Sequence, residues 1–268
     1  MPDWNALRPE VEAVALRAGE ETLRYFRKPL AQWTKAGPFD VVTEADKASE
    51  AVILPALRAL LPEAALLSEE SGASGDEGGL RWVVDPIDGT ANFAAGMPYY
   101  SISIALADVA GQPVIGVVHN PAYGELFSAA LGGGAALNGE PIHVSATPAL
   151  AQSILLGGFS IYPELAKPQL RQWMALMQRT RGLRRMGSAA LDLASVAAGR
   201  ADGYWESSLS PWDVLAGLLL VQEAGGRISD FAARPDKLYS AKEMAVTNGA
   251  IHDELLAALA AAGDQGGL

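Results

Sequence analysis

The chain has 268 residues, 50% of them hydrophobic and 19% charged, which is enough apolar material for one large core or two closely packed halves and too little charge for a disordered chain. Its formal net charge of −11 and sequence pI near 4.7 argue against nucleic acid as the main ligand and against binding to an anionic membrane surface, since both need clustered Lys and Arg. It has no cysteines, so disulfides, thiolate nucleophiles and iron–sulfur clusters are excluded.

Residues 3–28 read as a long amphipathic helix, capped by Asp3 and stopped by Pro29, with Leu7, Val11, Val14, Ala15, Ala18 and Leu23 along one stripe. The start, Met1-Pro2-Asp3-Trp4-Asn5, has no basic n-region and no apolar h-region, so no signal peptide is expected. The apolar run at 214–221 is too short to span a bilayer, and the expectation is a soluble cytoplasmic chain. After a loop at 35–38, Val41-Val42-Thr43 leads into a second helix over 44–61, where Pro55 is placed to kink it.

Short apolar runs follow, bounded by turn residues. Strands are expected at 65–67, 81–84, 100–107, 114–119 and 125–130, with a glycine-rich acidic surface loop at 72–79. The Gly132-Gly133-Gly134 turn joins the last of these to 135–137. In the second half, strands are expected at 154–156, 201–205 and 227–229. Helices are expected at 168–178, 189–198, 212–224 and 253–262. There is no internal repeat and no long linker. The expected organisation is a single unit over 1–268, with halves at about 1–147 and 148–262 sharing a cleft and a frayed tail at 263–268.

The informative segment is Trp82-Val83-Val84-Asp85-Pro86-Ile87-Asp88-Gly89-Thr90-Ala91-Asn92-Phe93. Two carboxylates stand three residues apart, directly after an apolar strand. Pro86 fixes one φ angle, Gly89 permits close backbone approach, and Thr90 opens a short helix. Two carboxylates, the Ile87 carbonyl and the Gly89 and Thr90 amides then surround one point. Such oxygens suit Mg²⁺, and such N–H groups suit a phosphate. Taken alone, the string reads equally well as a surface turn. Glu69 and Glu70 form a second acidic segment at a strand end, which alone reads as a solvated loop. Asp213 lies in the first turn of a helix, which alone reads as compensation of the helix dipole. Strand ends and helix starts are also where α/β architectures gather ligand groups.

Together and in this order, the Glu-Glu, Asp-Pro-Ile-Asp-Gly-Thr and Trp-Asp segments resemble the inositol monophosphatase family over nearly the whole chain. The resemblance implies a mixed α/β fold, a layered αβαβα sandwich. It implies a Mg²⁺-dependent, lithium-sensitive phosphoric monoester hydrolase with two or three metal ions, usually a homodimer. By similarity, Glu69, Asp85, the Ile87 carbonyl, Asp88 and Asp213 hold the metals. Thr90 and Glu69 orient and deprotonate a water that attacks directly, with no phosphoenzyme. Asp46 hydrogen-bonds the threonine, and Lys35 stands on a loop near the metals. Gly89, Thr90, the Gly187-Ser188-Ala189 loop, Glu206 and Asp213 bind substrate, the loop through free amides at a helix start. Plainer readings stand beside these: Asp46 as a helix-dipole charge, Lys35 as a loop lysine, Ser188 as an N-cap, Glu206 as a surface glutamate.

One stretch departs from the family pattern. Leu155-Leu156-Gly157-Gly158-Phe159 lies where inositol phosphatases often carry a small hydroxyl residue, so substrate identity stays open. Inositol monophosphate is the expected substrate. Histidinol phosphate, fructose 1,6-bisphosphate, NADP and nucleotide bisphosphates are alternatives, and a regulatory protein-binding or RNA-metabolism role is a reading from another class. An aspartyl-phosphate mechanism of the haloacid-dehalogenase kind would need Asp at position 86, where Pro86 stands. His119, His143 and His252 have no metal-ligand spacing and read as structural. The six tryptophans read as core or interface residues.

Overall fold

The computed structural model describes residues 3–34, 41–76, 78–160, 162–235 and 242–263, so Lys35 and the 35–38 loop lie outside the described residues. The first helix, α1 (Trp4–Leu23), is capped by Asp3, whose carboxylate accepts the Asn5 and Ala6 amides. Val11, Val14, Ala15 and Ala18 are buried as the periodicity predicts. The helix ends at Leu23 instead of reaching residue 28, and Leu23 is exposed while Thr22 takes the buried place. The reason is downstream packing. Tyr25 and Phe26 turn in against Ile87, Phe93 and Tyr100, with the Phe26 ring 5.2 Å from Tyr100 and 5.6 Å from Phe93.

A small antiparallel pair follows, β1 (Gln32–Thr34) with β2 (Val41–Thr43). Trp33 on β1 is exposed, with the Lys47 ammonium 4.3 Å from its ring, so of the core and interface readings given to the tryptophans the core one does not hold for it. Helix α2 (Glu44–Leu60) passes Pro55 without ending.

The first large sheet contains β3 (Ala65–Ser68), β4 (Gly72–Ser74), β5 (Arg81–Asp88), β6 (Ser101–Ala107), β7 (Pro113–Asn120), β8 (Glu125–Ala130), β9 (Ala135–Leu137) and β10 (Glu140–Pro141). Its order is β10-β9-β8-β7-β6-β5-β3-β4, antiparallel except where β3 runs parallel to β5. Residues 72–74, expected as loop, form the exposed edge strand β4. β5 continues past Asp85 to Asp88, with a register shift between those two residues where it pairs with β6. Helix α3 (Thr90–Ala94) follows directly.

The second sheet is formed by β11 (Ile154–Gly157), β12 (Gly182–Arg184), β13 (Gly203–Ser207), β14 (Arg227–Ser229) and β15 (Glu243–Thr247), in the order β12-β11-β13-β15-β14. β12 and β15 were not expected from the sequence, and β13 runs to Ser207 rather than Trp205, which brings Glu206 onto a strand. Helix α4 (Pro163–Met177) starts at Pro163, with Pro168 inside it rather than at its head. Helices α5 (Ala189–Ala197), α6 (Pro211–Glu223) and α7 (His252–Gly263) complete the described elements, and Gly263 belongs to α7 rather than to a tail.

The layers are α1 and α2, then the first sheet, α5 and α6, the second sheet, and α4 with α7: an αβαβα sandwich of mixed α/β class. α6 is buried on nearly all sides because both sheets close on it, which explains its continuous Val214–Val221 apolar run. Among the described residues, no helix is long and apolar enough to cross a membrane. His252 is fully buried between the hydroxyls of Ser229 and Thr247, at 2.9 and 3.0 Å. Its structural reading fits that placement.

Contact between α6 and β7 depends on Gly116. A Cβ there would lie 2.6 Å from the Ala216 carbonyl oxygen and 3.0 Å from its Cα, both backbone atoms that cannot swing aside. Gly116→Ala is therefore expected to destabilise the fold by about 2 kcal/mol or more. Urea unfolding should show a lower midpoint at unchanged m.

Candidate active site

The acidic residues converge where the first sheet ends and α6 begins. β5 delivers Asp85 and Asp88 at its C-terminal end, and α6 delivers Asp213 in its first turn. One carboxylate oxygen from each of the three lies within 4.8 Å of the others. Asp85 accepts the Ile87 amide at 3.0 Å, which curls the Pro86 turn so that the second carboxylate follows closely. Asp213 is the third residue of α6 and accepts the Ser210 amide at 2.7 Å, a capping contact that fixes its rotamer. Asp88 accepts the Ser188 hydroxyl at 2.5 Å and the Ala190 amide at 2.8 Å, so it holds the start of α5.

Burial raises all three pKa values, and their mutual charges push the same way. Asp88 is pushed up to about 6, against the Ser188 and Ala190 hydrogen bonds that favour its charged form. Asp85 and Asp213 are raised well above the ordinary range, first by burial and then by neighbouring carboxylates. Glu69 hydrogen-bonds Asp85, and its charge acts on Asp46, Asp85, Asp88 and Asp213, so the Glu69 side chain belongs to the same cluster. Carboxylates this close and this buried call for a positive charge among them. An all-oxygen donor set of this kind fits a hard divalent cation.

Thr90 opens α3 beside the cluster. Its hydroxyl lies 3.1 Å from an Asp46 carboxylate oxygen and 2.9 Å from the Ile87 carbonyl, so one proton is shared between two acceptors. Asp46 is nearly inaccessible and also accepts the Thr43 amide at 2.8 Å and hydroxyl at 2.6 Å. It caps α2 and reaches Thr90 at once, so its helix-dipole reading and its threonine-contact reading describe one geometry. Gly89 has φ of 87°, and a Cβ there would meet the Gly187 and Tyr99 carbonyl oxygens at 3.0 and 3.2 Å. No other residue type would let α3 begin so close to the 185–188 loop.

A pocket opens beside the cluster, lined by Asp88, Asp213, Gly158, Ser188, Asp192 and Glu206. Glu206 is in this wall rather than on the surface. Burial pushes its pKa to about 7, opposed by the Tyr204 hydroxyl, which donates to it at 2.5 Å, and by Arg185. Gly158 makes room for it, because a Cβ at 158 would sit 2.1 Å from the Glu206 carboxylate. Phe159 stacks edge-on against Trp173 at 5.9 Å and under the Arg185 guanidinium at 5.6 Å. The Gly157-Gly158-Phe159 departure thus accommodates a carboxylate and an aromatic stack. At the start of α5, the Ser188 hydroxyl and the Ala190 and Ala189 amides are committed to Asp88, so of the loop amides expected to bind substrate that of Ala189 is already engaged.

Several residues of the site were not singled out from sequence. Asn92 donates to the Tyr99 and Met186 carbonyls at 2.7 and 2.9 Å, tying α3 to the 185–188 loop. Asp192, buried in the pocket wall, accepts the Tyr99 hydroxyl at 2.8 Å, and burial raises its pKa well above the ordinary range. Ser49 and Glu50 on α2 also reach the site. Their spacing of three and four from Asp46, one helical face, is the signal that could have found them.

Residues 5–264 match the family model described as the inositol monophosphatase family. The chain is 44% identical over 260 residues to an inositol-1-monophosphatase of Synechocystis sp., covering 93% of this chain and 87% of that protein. It is 42% identical over 223 residues to the Nus factor SuhB of Escherichia coli K12, covering 81% and 82%. Among solved structures, the inositol monophosphatase from Anabaena (Nostoc) sp. PCC 7120 superposes with a TM-score of 0.85 at 40% identity, covering 96% of each chain. The extragenic suppressor protein suhB from Bartonella henselae superposes with a TM-score of 0.90 at 37% identity, covering 95% of this chain and 98% of that one. With the family model spanning almost all of it and relatives of this identity along its length, the chain belongs to the inositol monophosphatase family, a family of phosphatases.

Proposed function

We propose that the protein hydrolyses the phosphate monoester of a small polyol, inositol monophosphate first among them, with Mg²⁺ as cofactor. The observation that carries this reading is the convergence of Asp85, Asp88 and Asp213 to within 4.8 Å beside a pocket walled by Glu206. Glu69, Asp85, the Ile87 carbonyl, Asp88 and Asp213 would hold two or three ions. When bound, Mg²⁺ supplies the positive charge that offsets the dianionic ester, acidifies water and stabilises the leaving oxygen. The chain's own residues do the rest. Glu69 and Thr90 orient the attacking water and take its proton, and Asp46 fixes Thr90. The Gly89 and Thr90 amides at the head of α3 face the phosphate. Glu206 and the Gly187 and Ser188 backbone bind hydroxyls, since the Ala189 amide is engaged by Asp88. Attack is direct, and Pro86 stands where an aspartyl-phosphate mechanism would need its nucleophilic Asp.

The test of substrate class is phosphate release from a panel of monoesters, including inositol 1-phosphate, histidinol phosphate and fructose 1,6-bisphosphate. Inositol 1-phosphate should give the highest kcat/KM, and a clear preference for a bisphosphate would overturn the polyol assignment. Glu206→Ala should raise KM for the polyol ester about tenfold or more while kcat changes little, since a charged hydrogen bond to a hydroxyl is lost. An unchanged KM would reject the ring-hydroxyl role.

Relatives named Nus factor SuhB support a second reading, a regulatory role alongside catalysis or in place of it. An acidic cluster with every carboxylate in place favours the catalytic reading. We further propose that the chain acts as a single unit, with the two halves meeting at this site, and that it is a cytoplasmic homodimer.

A further inference from the structure

Helix α2 touches three separate pieces of the site. Asp46 reaches Thr90 on α3. One turn on, the Ser49 hydroxyl donates to the Pro86 carbonyl at 2.9 Å, inside the turn that carries Asp85 and Asp88. Glu50 reaches the third piece, the turn after β3. Its Oε1 accepts the Ser68 hydroxyl at 2.5 Å, the Ser71 hydroxyl at 3.0 Å and the Ser71 amide at 3.1 Å. Ser68 and Ser71 are the residues on either side of Glu69-Glu70. A single carboxylate oxygen therefore bridges the two ends of the segment that presents Glu69.

That segment needs such a bridge more than the other ligand-bearing pieces do. Asp85 and Asp88 are paired with β6 on a strand that β3 also pairs over residues 81–84, and Asp213 lies in a capped helix. Glu69 lies between β3 and β4, and β4 is the edge of the sheet with all three of its residues exposed. Edge hairpins open more cheaply than central strands. A ligand on such an element costs affinity through the disorder it must lose when the cation binds, unless something orders it beforehand.

We propose that Glu50 is a positioning residue that sets the cation affinity of the site by holding the Ser68–Ser71 turn, without touching the cation or the substrate. This rests on the reading of Glu69 and Asp85 as cation ligands.

Mg²⁺ binding by wild type, Glu50→Ala, Glu50→Gln and Ser71→Ala is measured calorimetrically, with unfolding temperature in EDTA as the control for the fold. Glu50→Ala should weaken Mg²⁺ binding by about 10- to 100-fold. The same variant should raise the Mg²⁺ needed for half-maximal phosphate release by a similar factor, with a smaller loss of kcat at saturating Mg²⁺. Glu50→Gln keeps the accepting oxygen and should recover most of the affinity, which a purely structural loss of charge would not explain. Ser71→Ala leaves α2 intact and should weaken binding by about 2- to 5-fold, so it supplies the result should Glu50→Ala not fold. Wild-type Mg²⁺ affinity in both Glu50→Ala and Ser71→Ala overturns the proposal. Asp85→Asn in the same titration separates the two levels. If Asp85→Asn loses binding while the Glu50 and Ser71 variants keep it, only the role of Glu50 fails. If Asp85→Asn also binds normally, the ligand assignment fails and takes the proposal with it.

Discussion

Asp88→Asn is expected to lower phosphate release by at least about 1,000-fold, or about 4 kcal/mol of barrier, while leaving the chain folded. The size of the effect follows from two jobs resting on one side chain. One is its proposed place as a cation ligand in the Asp85–Asp88–Asp213 cluster. The other is geometric, because its Oδ2 accepts the Ser188 hydroxyl and the Ala190 amide and so sets where α5 begins against the site. Asn keeps the size and one accepting oxygen, so α5 should stay docked. What it loses is the negative charge. Measured kcat/KM at increasing Mg²⁺ checks this, and full activity at any attainable Mg²⁺ would remove Asp88 from the ligand set.

Without divalent cations, the protein should become less stable as pH rises from about 4 to about 7, and Mg²⁺ should abolish that loss. Carboxyls whose folded pKa is raised bind protons more tightly in the fold than in the unfolded chain. Below about pH 4 they are protonated in both states and nothing is lost. As pH rises, the unfolded chain ionises first. The fold then loses stability until its own carboxyls ionise, near pH 6 for Asp88, with Asp85 and Asp213 also raised well above the ordinary range by burial. Asp88 alone corresponds to about 3 kcal/mol, or roughly 6–12 °C in unfolding temperature for a chain of this size. Asp46, Asp192 and Glu206 are also raised and push the same way. His252 pushes the other way. Burial lowers its pKa to about 4, so its contribution is lost as pH falls below about 6.5. Taking the difference between scans in Mg²⁺ and in EDTA cancels the terms that Mg²⁺ does not touch. The Mg²⁺-induced rise in unfolding temperature should be several-fold larger at pH 8 than at pH 5. A rise independent of pH would separate the cation from the carboxylates.

The parts of this site that were legible in sequence are the local ones. Asp85, Asp88, Gly89 and Thr90 lie within six consecutive residues, and their turn is set by Pro86 and by the Asp85 contact to the Ile87 amide. Asp213 was legible because Pro211 marks a helix start just before it, and the structure adds the capping contact with Ser210. What escaped was decided across the chain. Asp88 meets Ser188 at a sequence separation of 100, and Tyr99 meets Asp192 at 93, and no local pattern encodes either pair. The commitment of Ser188 and Ala190 to Asp88 was invisible for the same reason. β15 escaped because a central strand buried on both faces shows no alternation over its five residues, and its order comes from β13 and β14 on either side. Residues 25–28 were read as helix because nothing local reveals the Phe93 and Tyr100 rings that draw Phe26 away.

The most direct test of the account is phosphate release from inositol 1-phosphate by the purified chain, followed first in Mg²⁺, then after EDTA, then after Mg²⁺ is restored. Release should stop with EDTA and return with Mg²⁺. Release that continues undiminished in EDTA would contradict it, since carboxylates this close and buried would then be serving some end other than holding the cation that hydrolysis requires.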